Sequence, residues 1–151
     1  MKKIGLLFLI GIFCMNINAQ TKDETKAAIK ETVLNYIEGF YQADAERMDK
    51  ALHPELAKRV IRRDQEGNCF INPMVKTQLV FYTKHNKNQN ELNKEEEFKA
   101  EITIFDIYEN IASVKATTNK FAFIDYIHLG KFNGEWKIIN VLWEPFPRKE
   151  K

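Results

Sequence analysis

Five side chains in this 151-residue sequence have the type and setting to do chemistry: Tyr36, Phe40, His53, Asp125 and Asn140. Asp125 and Asn140 fall within FAFIDYIHLGKFNGEWKIINVLW, Phe121 to Trp143. Asn133-Gly134 lies there between alternating apolar residues. A type I′ turn needs positive φ at both central positions, so Asn-Gly in that setting predicts a hairpin. Counting outward from the turn, Leu129 faces Ile138, Ile127 faces Asn140 and Asp125 faces Leu142. One predicted face carries Phe123, Asp125, Ile127, Leu129, Trp136, Ile138, Asn140 and Leu142. A carboxyl and an amide on an otherwise apolar surface suit the wall of a small-molecule pocket.

The chemistry open to each group follows from its type. Desolvation raises the pKa of a carboxyl on such a wall, which equips Asp125 to act as a general base or to anchor a ligand N–H. A buried carboxyl can equally be satisfied within the protein, here by Tyr36, Asn140 or a backbone N–H. Asn140 offers a donor and an acceptor to a heterocycle, or to Asp125. Tyr36 and Phe40 share a helical stripe, where aromatics pack the core, and the Tyr36 phenol needs a polar partner. His53, before Pro54, can contact the carbonyls of a helix end, hold a ligand or exchange a proton. His85, His128 and Cys69 show no zinc-ligand spacing, so no metal is expected, and no cofactor is implied. The sequence has no phosphate-binding glycine loop and no nucleophile motif.

These residues depend on elements that the sequence also predicts. Thr21 with Glu24 reads as a capping box that opens a helix to about Gln42, with the stripe Ile29, Val33, Tyr36, Ile37 and Phe40. Asp44 caps a short helix through Leu52, stopped by His53-Pro54, with one further turn at Pro54-Ala57. Lys58 to Arg63 and Cys69 to Ile71 read as short strands around a polar turn. Asn72-Pro73 reads as an N-cap with proline at the first helical position, opening a third helix to about His85. A polar loop over residues 86–97 precedes a four-stranded meander. On its third-last strand Ala112, Val114 and Ala116 face the pocket, and their small size leaves room for a cavity. The order implies an α+β domain, three N-terminal helices on a curved, mostly antiparallel sheet.

Residues 1–19 have the layout of a secretory signal peptide: Lys2 and Lys3, an apolar run from Ile4 to Met15, and a small residue, Ala19, at the cleavage position. The expected domain is then 20–151, exported to the periplasm or secreted, with no membrane span in the mature chain. Lys2 and Lys3 account for the formal charge of +2, so the mature chain is neutral. A neutral chain gives no field for nucleic acid, and the basic run Lys58 to Arg63 reads as a solvated or dimer-facing strand. Ile124, Tyr126, Ile139, Val141 and Trp143 form a second apolar face on the hairpin, which predicts a homodimer through the outer side of the sheet.

YIEGFYQADAERMDKALHPELAKR, Tyr36 to Arg59, with FIDYIHLGKFNGEWKIINVLW downstream, resembles the "putative lumazine-binding" family. That family falls in the larger group shaped like nuclear transport factor 2, which includes SnoaL-like polyketide cyclases and ketosteroid isomerases. The features that carry the resemblance are Tyr36, Gly39, Tyr41, Ala43-Asp44, His53-Pro54, Asp125-Tyr126 and Asn133-Gly134 through Asn140. It implies an NTF2-like cone with a pocket between the first helix and the final hairpin. Three functions fit. The chain could be a bacterial binding module for a small, flat organic ligand such as a heterocycle. It could be an isomerase-like enzyme with Asp125 as general base, or an accessory oligomerisation domain.

Overall fold

The computed structural model describes residues 21–86 and 96–146. The expected leader, and most of the expected polar loop, lie outside those residues. Helix α1 spans Lys22–Gln42, α2 Ala45–Ala51 and α3 Lys76–His85. The strands are β1 Leu52–Arg63, β2 Cys69–Met74, β3 Ala100–Tyr108, β4 Ile111–Thr118, β5 Phe123–Phe132 and β6 Glu135–Pro145. They form one sheet in the order β2-β1-β6-β5-β4-β3, antiparallel except where β1 runs parallel to β6. The helices pack on this curved sheet, an α+β arrangement.

The start of α1 is fixed by reciprocal bonds: Glu24 N donates to Thr21 Oγ1 (3.2 Å) and Thr21 N to Glu24 Oε2 (2.9 Å). Its far end bends sharply through Ala43 in the left-handed region (φ 57°), and Asp44 Oδ1 caps α2 by accepting from Glu46 N and Arg47 N. Gly39 lets the two helices meet, because a Cβ there would lie 3.1 Å from Met48 N. The stripe Ile29, Val33, Tyr36 and Ile37 is buried against Ala112, Val114, Ala116, Ile127, Leu129, Ile138 and Val141. The small residues of β4 therefore face α1 as their alternation predicts.

Two local expectations fail for one reason: strands continue where helix signals were read. Leu52 is already extended (ψ 136°), so α2 ends at Ala51 and His53-Pro54 belongs to β1, not to a helix stop. Pro54 is tolerated because β1 is irregular against β6 between Leu52 and Ala57. Asn72-Pro73 lies in β2, the sheet edge, where Pro73 opposes Arg59. Helix α3 begins later, with Val75 N donating to Gln78 Oε1 at 3.2 Å.

The final hairpin turns at Asn133 (φ 51°) and Gly134 (φ 89°), as a type I′ turn requires. Phe132↔Glu135, Lys131↔Trp136 and Leu129↔Ile138 pair as counted from the turn. Beyond them His128 pairs with Asn140, not Ile127, so β6 carries one extra residue, Ile139. A β-bulge of this kind exchanges the two faces of everything beyond it. Asn140 and Leu142 consequently point outward, while Val141 (0% exposed) and Trp143 join the helix side. Deleting Ile139 should reverse those faces and destabilise the fold by more than about 4 kcal/mol, beyond an ordinary single substitution. Urea unfolding measures this; wild-type stability in the deletion variant would show that the bulge does not set the faces.

Candidate functional site

Asp125 sits in mid-β5 between Ala116 of β4 and Trp143 of β6, and is completely buried. Tyr36, on the buried face of α1, donates from Oη to Asp125 Oδ2 at 2.8 Å. Lys58 enters from β1, where Leu56, Lys58 and Val60 alternate inward while Arg59 and Ile61 face solvent. Its Nζ lies 3.7 Å from Asp125 Oδ1 and also donates to Tyr36 Oη. Apart from that ion pair, Asp125 Oδ1 has no hydrogen-bond partner. The rings of Tyr36, Trp143 and Phe123 stand 5.0, 5.2 and 5.8 Å from Nζ.

Burial dominates the electrostatics of this trio. It raises the Asp125 carboxyl above the ordinary carboxylate range, against the pull of the Lys58 charge and the Tyr36 hydrogen bond. It lowers the Lys58 ammonium although Asp125 favours the charged form. It also pushes the Tyr36 phenol well up, reinforced by the negative charge of Asp125, so Tyr36 is a neutral donor. Both ionic partners are drawn toward neutrality, the behaviour of a pair whose desolvation costs more than its attraction returns.

Next to the trio lies a cavity of about 210 Å³, walled by Tyr36, Phe40, Lys58, Tyr82, Phe121 and Trp143 among others. Asp125 does not line it; Tyr36 and Lys58 stand between. The rings of Phe40 and Phe121 (5.5 Å), Phe121 and Phe123 (5.4 Å), and Phe123 and Trp143 (5.6 Å) make a continuous aromatic wall.

The structure thus brings Tyr36, Phe40 and Asp125 together and places His53 and Asn140 elsewhere. His53, in the irregular start of β1, stacks on Phe132 at 4.3 Å near the hairpin turn, and its Nδ1 accepts from Glu55 N. Asn140, turned outward by the bulge, accepts from Arg59 Nη1 at 2.8 Å and contacts His128 Nδ1 at 3.1 Å. Trp143, expected on the outer face, is a cavity wall. Lys58 was hidden in a basic run; the alternation Leu56, Lys58, Val60 is the signal that exposes it.

The three helices on a six-stranded curved sheet, closed around an apolar pocket, define the NTF2-like fold. A protein of unknown function from Shewanella baltica with that fold superposes with a TM-score of 0.66 at 24% identity, over 84% of this chain and 98% of that one. One from Methylobacillus flagellatus gives 0.63 at 23%, over 84% and 95%. A ketosteroid isomerase-like protein from Erwinia carotovora gives 0.55 at 13%, over 83% and 98%. No protein of curated description matches. Residues 24–144 match the profile of the "putative lumazine-binding" family, and the chain belongs to that family.

Breaking a buried ion pair on one side leaves its partner uncompensated, at about 3–5 kcal/mol. Asp125→Ala should therefore cost that much in chemical unfolding, whereas Lys58→Met with Asp125→Leu should cost clearly less. Equal losses in the two proteins would show that the ion pair is not what holds this region together.

Proposed function

We propose that this chain is an exported binding module that holds a small, flat organic molecule between α1 and the final hairpin. The observation that carries the reading is a contrast. An aromatic cavity is open, while the buried carboxylate beside it, Asp125, is already engaged by Tyr36 and Lys58. A general base must reach the proton it removes, and Asp125 has no direct face on the cavity, which weighs against the isomerase-like alternative. An accessory domain with a vestigial pocket would have that space filled by side chains. Stacked aromatic walls favour a planar ring system. The family name adds that a pteridine-like heterocycle is a reasonable first ligand to try.

Two measurements test the reading. Calorimetric titration with lumazine and related bicyclic heterocycles should saturate, and Met74→Trp, which fills the cavity, should abolish the heat while the protein still melts cooperatively. Intact-mass analysis of the protein taken natively from cells should find a chain beginning at Gln20 with a small molecule attached. Absence of saturable binding together with an empty native protein would sink the proposal, and a chain retaining Met1 would remove export from it.

We also propose that two copies associate through the outer sheet face. Its support is apolar surface exposed on that face: Ile61 of β1, Leu142 of β6, Tyr126 of β5 and Phe105 of β3 are each more than 40% exposed, and Phe105 stacks on Tyr126. Tyr126→Lys should convert the dimer to a monomer in sedimentation velocity; an unchanged sedimentation coefficient would discard this interface.

A further inference from the structure

We infer that Lys58 is a carbonyl-capturing amine, which condenses with an aldehyde on a planar aromatic ligand seated in the cavity to form a Schiff base. The inference rests on the reading that the cavity holds such a ligand, and it assigns the ligand a reactive group. Among the described residues, Lys58 is the one charged side chain in the cavity wall. A lysine is nucleophilic only as the neutral amine, and an apolar pocket is the setting that releases its proton. Burial pushes the Lys58 ammonium in that direction.

The hydrogen bonds supply the proton's destination. Lys58 Nζ donates to Tyr36 Oη, and Tyr36 Oη donates to Asp125 Oδ2. Moving each proton one step along this line leaves a neutral amine, an unchanged phenol and a neutral carboxylic acid. The amine lone pair then forms the new C–N bond as the carbonyl π pair moves to oxygen, and the resulting carbinolamine expels that oxygen as water. The proton held on Asp125 returns through Tyr36 to the carbinolamine oxygen and a second passes to it from nitrogen; these two leave in the water and the third stays on the iminium, so the step needs no oxidant or other reactant. The iminium inherits the surroundings of the ammonium: the Asp125 carboxylate at its side and the rings of Tyr36, Trp143 and Phe123 around it.

The same charge count weighs against an anionic ligand. An aromatic carboxylate would place a second anion beside Asp125 with Lys58 as the shared cation, leaving a net negative charge in an apolar cavity. A neutral aldehyde keeps the balance at zero before and after condensation.

The test uses the unmodified mature protein, with naphthaldehyde as probe and sodium cyanoborohydride to fix any Schiff base, followed by peptide mass spectrometry. Methylnaphthalene, the same ring without the carbonyl, serves as competitor and as calorimetric ligand. We expect the reduced adduct on Lys58 at roughly tenfold or more over any solvent-exposed lysine, as a desolvated amine should give. We expect methylnaphthalene to suppress it, and Lys58→Arg to lack the suppressible label. If methylnaphthalene binds but the adduct falls only on exposed lysines, the inference is overturned and the binding reading stands. If methylnaphthalene does not bind and Lys58 stays unlabelled, both fall.

Discussion

One additional residue in β6 governs most of what distinguishes this molecule. Strands repeat every two residues, so inserting Ile139 inverts every side chain beyond it. Near the turn, Trp136 and Ile138 face α1; beyond the bulge, Val141 and Trp143 do. The effect passes to the next strand. β1 pairs Lys58 with Val141 and Val60 with Trp143, so whichever face β6 presents there, β1 presents too. The bulge therefore puts a lysine into the interior beside Asp125 and sends Asn140 out to Arg59. Without that inversion the interior would hold a carboxylate and an amide, a different electrostatic problem with no cation in it.

The interior that results is unusual for its economy. Among the described residues Asp125 and Lys58 are the buried charges, and with the Tyr36 phenol they sit among mostly aliphatic and aromatic groups. Each group has a partner among the other two, and the aromatic rings around Lys58 soften the loss of water from its ammonium. Asp125 is held from both α1 and β1, so the trio also ties the helix layer to the sheet beside the cavity.

The parts legible from sequence were those with redundant signals. The capping box, the stripe of α1 and the Asn133-Gly134 turn each have several residues agreeing on one answer. The far half of β6 offers no such agreement. Ile138-Ile139-Asn140-Val141-Leu142-Trp143 is apolar at every position but one, so alternation cannot say where an extra residue enters. Lys58 was hidden because Lys58-Arg59-Val60-Ile61-Arg62-Arg63 reads as a basic run, and its burial depends on a β6 partner more than eighty residues away. Asn72-Pro73 and His53-Pro54 are genuine local preferences overridden by strand pairing and by a break in that pairing.

The parallel pairing of β1 with β6 has a consequence for how the chain reaches this state. Leu52 meets Ile138, and Tyr36 meets Asp125, across most of the described sequence. The N-terminal helices and β1 thus have no sheet to lie on until the last hairpin exists. Contacts of such sequence separation slow folding, because the entropy of closing the loop is lost before the contacts form. The edge of β1 that faces β6 therefore has no strand to pair with until β6 has been made. The place of β1 in the sheet is thus decided by some of the most distant pairings in the fold.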